Sequence, residues 1–212
     1  MKKLTLIFLA IACFSACTQK KTAGTQVDAT TIDNLKTAII GETNASKKYA
    51  LISEEASNQG QIGIAAMFFA ASGAEAIHAQ NHTLVLNELG ETIEVITDIQ
   101  ISEDLEENIQ DAIAGETYEY TEMYPPMIEQ AKKEKLQYAL RSFAYAKKAE
   151  ERHAILYAEA FELLKAGKAD EIAKVWYICP DCGNLFNTLE GYEICAICGV
   201  GKDMFIFTHF EK

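Results

Sequence analysis

The chain has 212 residues, 49% of them apolar and 24% charged, with a formal net charge of −12. That length supports one well-filled core plus a small accessory unit, and so acidic a balance excludes non-specific nucleic-acid binding, which needs a basic face. Only three prolines occur, so an ordered and largely helical protein is expected. The six cysteines separate into Cys13 and Cys17 near the start and Cys179, Cys182, Cys195 and Cys198 near the end. None falls in the long helical segments, which argues against a disulfide-stapled core.

Residues 1–17 read as an export signal. Lys2 and Lys3 give a positive start, and Leu4 to Ala16 form an apolar run ending in small residues. The run is shorter than the roughly 20 apolar residues a bilayer span needs. Phe14-Ser15-Ala16-Cys17 resembles a bacterial lipobox, with Phe14 where Leu is usual. Cys17 is therefore the expected lipidation site. The protein is expected to be an exported lipoprotein of a bacterial envelope, touching the membrane only through its anchor. Residues 18–31 are polar and aperiodic and read as a flexible tether.

Helical period then governs the chain. A first helix is expected from about Ile32 to Ser57, with Thr30, Thr31 and Asp33 as capping candidates and Asn58-Gln59-Gly60 as its stop. A second, about Ile62 to Leu89, is rich in Ala and aromatic residues. Glu75, His78 and His82 mark it as a buried bundle helix rather than a membrane span. After a longer connection over 91–101, a third helix starts near Ser102, where Ser-Glu-Asp-Leu-Glu offers a cap and first-turn acids. Pro125-Pro126 is expected to kink or break it around Tyr124. The fourth helix covers about Glu134 to Lys165 and stops at Gly167.

On these helices lie Glu42, Glu75-Ala-Ile-His78, Glu116-Thr-Tyr-Glu119 and Glu150-Glu-Arg-His153. Residues three apart share a helix face, so each Glu-x-x-His pair can aim at one point. A Glu from each of two helices and a Glu-x-x-His from each of the other two is the ligand set of ferritin-like di-iron bundles. An internal repeat supports this reading. Ala38-Ile-Ile-Gly-Glu-Thr43 resembles Ala112-Ile-Ala-Gly-Glu-Thr117, Glu42 and Glu116 being 74 residues apart; Glu75 and Glu150 are 75 apart, as are His78 and His153. Carboxylate and imidazole donors suit iron or manganese, and a cation is what makes burying so much acid tolerable. Glu119 has Ala45 as its counterpart in the first half, so the repeat does not supply it. Tyr49 lies two turns beyond Glu42, and Tyr124 sits at the proline pair. Each is either a packing residue with a satisfied hydroxyl or a partner of the site. His82 is a ligand, a supporting residue or a surface residue, and His209 belongs to no pattern.

Val175-Trp-Tyr-Ile-Cys-Pro-Asp-Cys-Gly183 and Ile194-Cys-Ala-Ile-Cys-Gly199 form two Cys-x-x-Cys-Gly units. This spacing signals a tetrahedral four-sulfur site. Zinc would make it structural and iron a one-electron centre; disulfides are the third reading for an exported chain.

Residues 32–212 together resemble the rubrerythrin family. The resemblance is carried by Gly41-Glu42, Glu75-x-x-His78, Gly115-Glu-Thr-Tyr-Glu-Tyr-Thr-Glu-Met-Tyr-Pro125, Glu150-Glu-Arg-His153 and the two knuckles. It implies a mainly α fold: a ferritin-like di-iron four-helix bundle over 32–168 and a small rubredoxin-like iron domain over 174–212. It implies that Glu42, Glu75, His78, Glu116, Glu119, Glu150 and His153 bind two non-haem irons, and that Cys179, Cys182, Cys195 and Cys198 bind one more. It further implies that Tyr49 and Tyr124 hydrogen-bond near the site, and that Glu119 and His78 exchange on one iron between redox states. The implied activity is reduction of hydrogen peroxide to water in oxidative stress defence, with electrons from an unidentified donor relayed through the four-sulfur iron. Family members form homodimers in which that iron of one subunit faces the di-iron site of the other. Alternatives are a ferroxidase or iron-binding protein, or a membrane-anchored electron carrier, with a structural metal on the cysteines. This chain departs from the family pattern at Ala196, where Pro is common, and in its exported N-terminus.

Overall fold

The computed structural model describes residues 29–210. The signal, Cys17 and most of the tether lie outside the described residues. Helices α1 (Ala29–Asn58) and α2 (Ile62–Glu88) form a tight hairpin; α3 (Leu105–Tyr118), α4 (Tyr124–Lys133) and α5 (Gln137–Lys165) complete a four-helix bundle in which α3 and α4 act as one long third helix. Three short strands follow: β1 (Val175–Ile178), β2 (Leu185–Phe186) and β3 (Ile206–His209). They make an antiparallel sheet in the order β2-β1-β3, pairing Tyr177 with Phe186 and Trp176 with Thr208.

The connection between α2 and α3 shows why it had to be long. Lys36 binds Glu91 at 2.9 Å, Lys47 meets Thr97 at 2.7 Å, and Gln59 donates to the Glu103 carbonyl at 2.7 Å. The segment therefore runs the length of α1. From Lys36 to Gln59 a helix rises about 35 Å, and the chain from Glu91 to Glu103 spans about 40 Å when extended. This crossover leaves α3 parallel to α2, the single-crossover pattern of ferritin-like bundles.

Three boundaries differ from expectation. Helix α1 is already helical at Ala29, so Thr30, Thr31 and Asp33 lie inside it rather than at the expected cap. Helix α3 begins at Leu105 because Asp104, not Ser102, caps it, accepting from Glu106 N at 2.9 Å. Ser102 instead braces the turn, accepting from Asp104 N and donating to Glu107. Helix α5 begins at Gln137 rather than Glu134, because Lys135 takes φ 59° in the reversal before it. The proline pair also acts differently. Pro125 and Pro126 sit in the first turn of α4, where their missing N–H groups cost nothing. The chain reaches them through a π-helical turn, Glu119–Met123, in which Tyr124 N–H bonds back to the Glu119 carbonyl. The third helix is thus locally widened, not broken. Such π turns occur mostly at functional sites.

The buried carboxylates divide the core in two. On one side pack Ile52, Phe68, Leu156 and Tyr157; on the other, Leu35, Leu86, Met127 and Phe143. Helix α2 is long and apolar enough to cross a membrane, but its Ala-rich face is buried against the bundle and the sheet. Trp176, Ile178 and Leu185 belong to the same apolar cluster as Phe68 and Ala71. Close approach is possible because α2 carries glycines at the contact: a Cβ on Gly63 would stand 2.7 Å from Ile172 Cβ, and one on Gly73 would stand 2.8 Å from Ile178 Cδ1.

Candidate metal centre

Two groups of donors meet in the layer between the apolar clusters. Glu42, Glu75, His78 and Glu150 form one; Glu75, Glu116, Glu150 and His153 form the other; in each, the ligating atoms all lie within 4.8 Å of one another. All six residues are buried. Glu75 and Glu150 belong to both groups, and the individual oxygens show how. Glu75 turns Oε2 to His78 Nδ1 at 2.9 Å and Oε1 to His153 Nδ1 at 3.3 Å. Glu150 turns Oε1 to His78 at 2.7 Å and Oε2 to His153 at 2.8 Å. Each carboxylate therefore spans two positions, and Glu42 and Glu116 close the two ends.

The donor set fits a pair of cations. Glu42 Oε2, Glu75 Oε1, Glu116 Oε2, both Glu150 oxygens and His153 Nδ1 are buried without a hydrogen bond, an arrangement that is costly unless charge compensates it. Without a cation, protons take that place. Burial, reinforced by Glu150, raises Glu42 to about 8. Burial and the neighbouring acids also hold Glu116 and Glu119 well above the usual carboxylate range. Burial works against charge on the imidazoles, yet the carboxylates outweigh it: Glu150 and Glu75 raise His153 to about 9, and Glu150 leads in raising His78. Glu150 itself is pulled down, because the two imidazoles overcome its own burial.

Tyrosines flank the layer on both sides. Tyr49 donates to Glu116 Oε1 and Tyr124 to Glu42 Oε1. Each occupies one oxygen and leaves Oε2 free to face a cation. His82 enters neither donor group. It is fully buried, and burial lowers it to about 3, so it is neutral. Glu119 also stands outside both groups. It opens the π turn, its carboxylate lies over Gly41, where a Cβ would stand 3.9 Å from Oε1, and it lines a cleft of about 200 Å³ with Tyr49 and Lys48. His209, on β3, is in neither donor group.

The cysteines form a second centre. Cys179, Cys182, Cys195 and Cys198 are free thiols whose sulfurs lie within 4.8 Å of one another. The Cys179–Cys198 and Cys182–Cys195 sulfur pairs, at 3.3 and 3.5 Å, are far beyond a disulfide bond of about 2 Å. They approach the roughly 3.8 Å edge of a sulfur tetrahedron around a metal with bonds of about 2.3 Å. The two knuckles are built alike. Gly183 N bonds Cys179 O at 3.0 Å and Gly199 N bonds Cys195 O at 2.8 Å, with both glycines left-handed at φ 73° and 83°.

Sequence reasoning did not reveal how the two centres join. His78 Nε2 lies 2.9 Å from the Cys182 carbonyl, and His153 Nε2 lies 3.1 Å from the Gly183 carbonyl. A carbonyl only accepts, so each Nε2 carries the hydrogen. Nδ1 of each ring is thereby turned to the carboxylates as the metal-facing atom. Asn81 adds a bond to the Asp181 carbonyl at 2.8 Å. Gly183 is required twice, for its positive φ and because a Cβ there would collide with His78 Nε2. The chain's own knuckle thus lies against the di-iron site.

These features define a ferritin-like di-iron carboxylate bundle joined to a rubredoxin-like four-cysteine unit. A family model described as Rubrerythrin matches residues 33–161. Rubrerythrin-2 of Clostridium acetobutylicum is 42% identical over 180 residues, covering 84% of this chain and 96% of that protein. Nigerythrin of Nitratidesulfovibrio vulgaris is 36% identical over 178 residues, covering 82% and 85%. A solved structure of nigerythrin in a mixed-valence state superposes with a TM-score of 0.77 at 32% identity, covering 91% of this chain and 90% of that one. The chain belongs to the rubrerythrin family. Its cofactors are accordingly the di-iron pair of the bundle and one rubredoxin-like iron on the cysteines.

Proposed function

We propose that this protein is a non-haem di-iron peroxidase that reduces hydrogen peroxide to two waters, consuming two electrons and two protons. The observation that carries the reading is the double bridge from Cys182 and Gly183 to His78 and His153, which sets a one-electron centre one hydrogen bond from a two-metal centre. When bound, the iron pair supplies two electrons to one substrate, and the four-sulfur iron replaces them singly. The protein's own groups do the rest. Glu75 and Glu150 hold the pair together, and Tyr49 and Tyr124 each hold one oxygen of an end carboxylate. Glu119 lies beside the site at a cleft of about 200 Å³ and would be the carboxylate that exchanges with His78 as the oxidation state of a bound iron changes. Nigerythrin, a relative, has been solved in mixed-valence and fully reduced all-ferrous states.

The proposal extends to the setting. Electrons come from a rubredoxin-type or reductase-like donor. The lipobox-like Phe14–Cys17 segment supports an envelope lipoprotein anchored through Cys17, acting in oxidative stress defence. An open apolar surface around Ile155, Ala158 and Leu163 on α5 supports a homodimer. The test is rapid mixing of iron-loaded, chemically reduced protein with peroxide or oxygen. Peroxide should reoxidise it much the faster. A faster reaction with oxygen would overturn the proposal in favour of a ferroxidase.

A further inference from the structure

His82 is a buried imidazole with no place in either donor group, yet both of its nitrogens are engaged. Its Nε2 lies 3.0 Å from the Tyr124 hydroxyl and its Nδ1 lies 2.7 Å from Ser142 Oγ on α5. Tyr124 in turn reaches Glu42 Oε1, while Glu42 Oε1 is 4.0 Å from His82, too far for a direct bond. The rings of Tyr124 and Phe143 pack against the imidazole at 5.8 and 5.2 Å, tilted by 41° and 45°.

Hydrogen-bond polarity along the row is determined. A metal-binding carboxylate only accepts, so the single Tyr124 hydrogen points at Glu42. Tyr124 oxygen must then accept from His82, which places the one hydrogen of a neutral imidazole on Nε2. Nδ1 is left as an acceptor, and Ser142 donates to it. Reversing any member leaves Glu42 Oε1 buried with no donor, at the cost of an unsatisfied group. On the opposite side, Tyr49 donates to Glu116 and packs against the Phe68 and Tyr157 rings, and among the described residues no histidine bonds its hydroxyl. The internal repeat is therefore asymmetric at this level.

We propose that His82, held in place by Ser142, is a positioning residue that locks the Tyr124 hydroxyl onto Glu42 Oε1. This leaves Oε2 as the oxygen offered to the metal at the Glu42–His78 end. The Glu116 end has no equivalent lock. Partners behind metal ligands commonly tune affinity by about 10- to 100-fold, so the two bundle positions should differ in how they depend on these residues. The inference rests on the di-iron site alone and is independent of the peroxidase proposal.

The test uses the full chain and metal binding, not turnover. Zinc-loaded protein with 15N-labelled histidine should show His82 neutral with its proton on Nε2; a proton on Nδ1 would overturn the proposal. In zinc titrations, His82→Leu should weaken one of the two bundle positions about tenfold or more and leave the other and the four-cysteine site unchanged. His82→Gln should restore most of that loss, because its amide both donates to Tyr124 and accepts from Ser142. Tyr49→Phe should weaken the other position. Equal weakening of both positions by His82→Leu, or no weakening of either, would overturn the lock. So would failure of His82→Gln to rescue in a protein whose Tm matches the parent.

Discussion

Replacing Gly183 with alanine is the sharpest perturbation of the join between the two centres. The residue has φ 73°, and its Cβ would run into His78 Nε2 and Cδ2, with the Ala74 carbonyl at 3.1 Å. A left-handed non-glycine residue costs about 1–2 kcal/mol, overpacking a tight contact about 1–3 kcal/mol, and each lost hydrogen bond about 0.5–1.5 kcal/mol. The knuckle offers two such bonds, to His78 and His153. The sum is about 3–8 kcal/mol against a total stability of about 5–15 kcal/mol. Relief comes either by global destabilisation, a fall in Tm on the order of 10 °C, or by the knuckle lifting from the bundle. Gly199→Ala is the matched control. It carries the same backbone strain at φ 83° with nothing within 4 Å of its Cβ, so it should cost only about 1–2 kcal/mol. Thermal melts and stopped-flow reoxidation of the four-sulfur iron, read by its visible absorbance, compare the two. Gly183→Ala should slow electron passage between the centres and Gly199→Ala should not. Equal effects from the two substitutions would refute the assignment of the join to Gly183.

The remaining predictions concern the carboxylate layer. Metal-free protein should lose stability as pH rises from about 5 to 9. Glu42 and His153 have folded pKa values raised to about 8 and about 9, so the folded state holds protons that the unfolded chain releases earlier; a melting temperature that rises across this window would contradict the sign. Metal loading near pH 7 should release several protons per chain, measurable in weakly buffered solution, because those sites must empty to bind cations. Glu150→Gln should weaken both bundle positions together, since Glu150 faces both histidines; metal analysis showing one position intact would contradict the bridge. Glu119→Ala should leave both bundle metals bound, because the donor groups form without it, while peroxide turnover falls at least about a hundredfold, as for loss of a group acting in the chemical step.

Much of this was legible in the chain. The Glu-x-x-His spacing and the repeat near 75 residues identified which acids converge, because helix period alone dictates that geometry. The Cys-x-x-Cys-Gly pairs were similarly explicit. Other features depend on approach in space and left weak marks. Gly63 and Gly73 read as ordinary residues of an Ala-rich helix, yet they are where Ile172 and strand β1 dock. Pro125-Pro126 signalled a break, but the π turn before it absorbs the irregularity and places Glu119 at the pocket edge. Ser142 carried no signal, since its role exists only opposite His82. For His82, the cue was its position one turn beyond His78 on the same face, which is the geometry of a supporting residue as much as of a ligand.

The most direct measurement of the central claim is a stoichiometric titration of fully reduced, iron-loaded protein with hydrogen peroxide, without oxygen and with both iron centres followed by their spectra. The account predicts one peroxide consumed for every two ferrous ions, with water as product and with the four-sulfur iron oxidised along with the pair. A four-sulfur iron that stays reduced after the pair is oxidised, or peroxide that remains unconsumed, would contradict it.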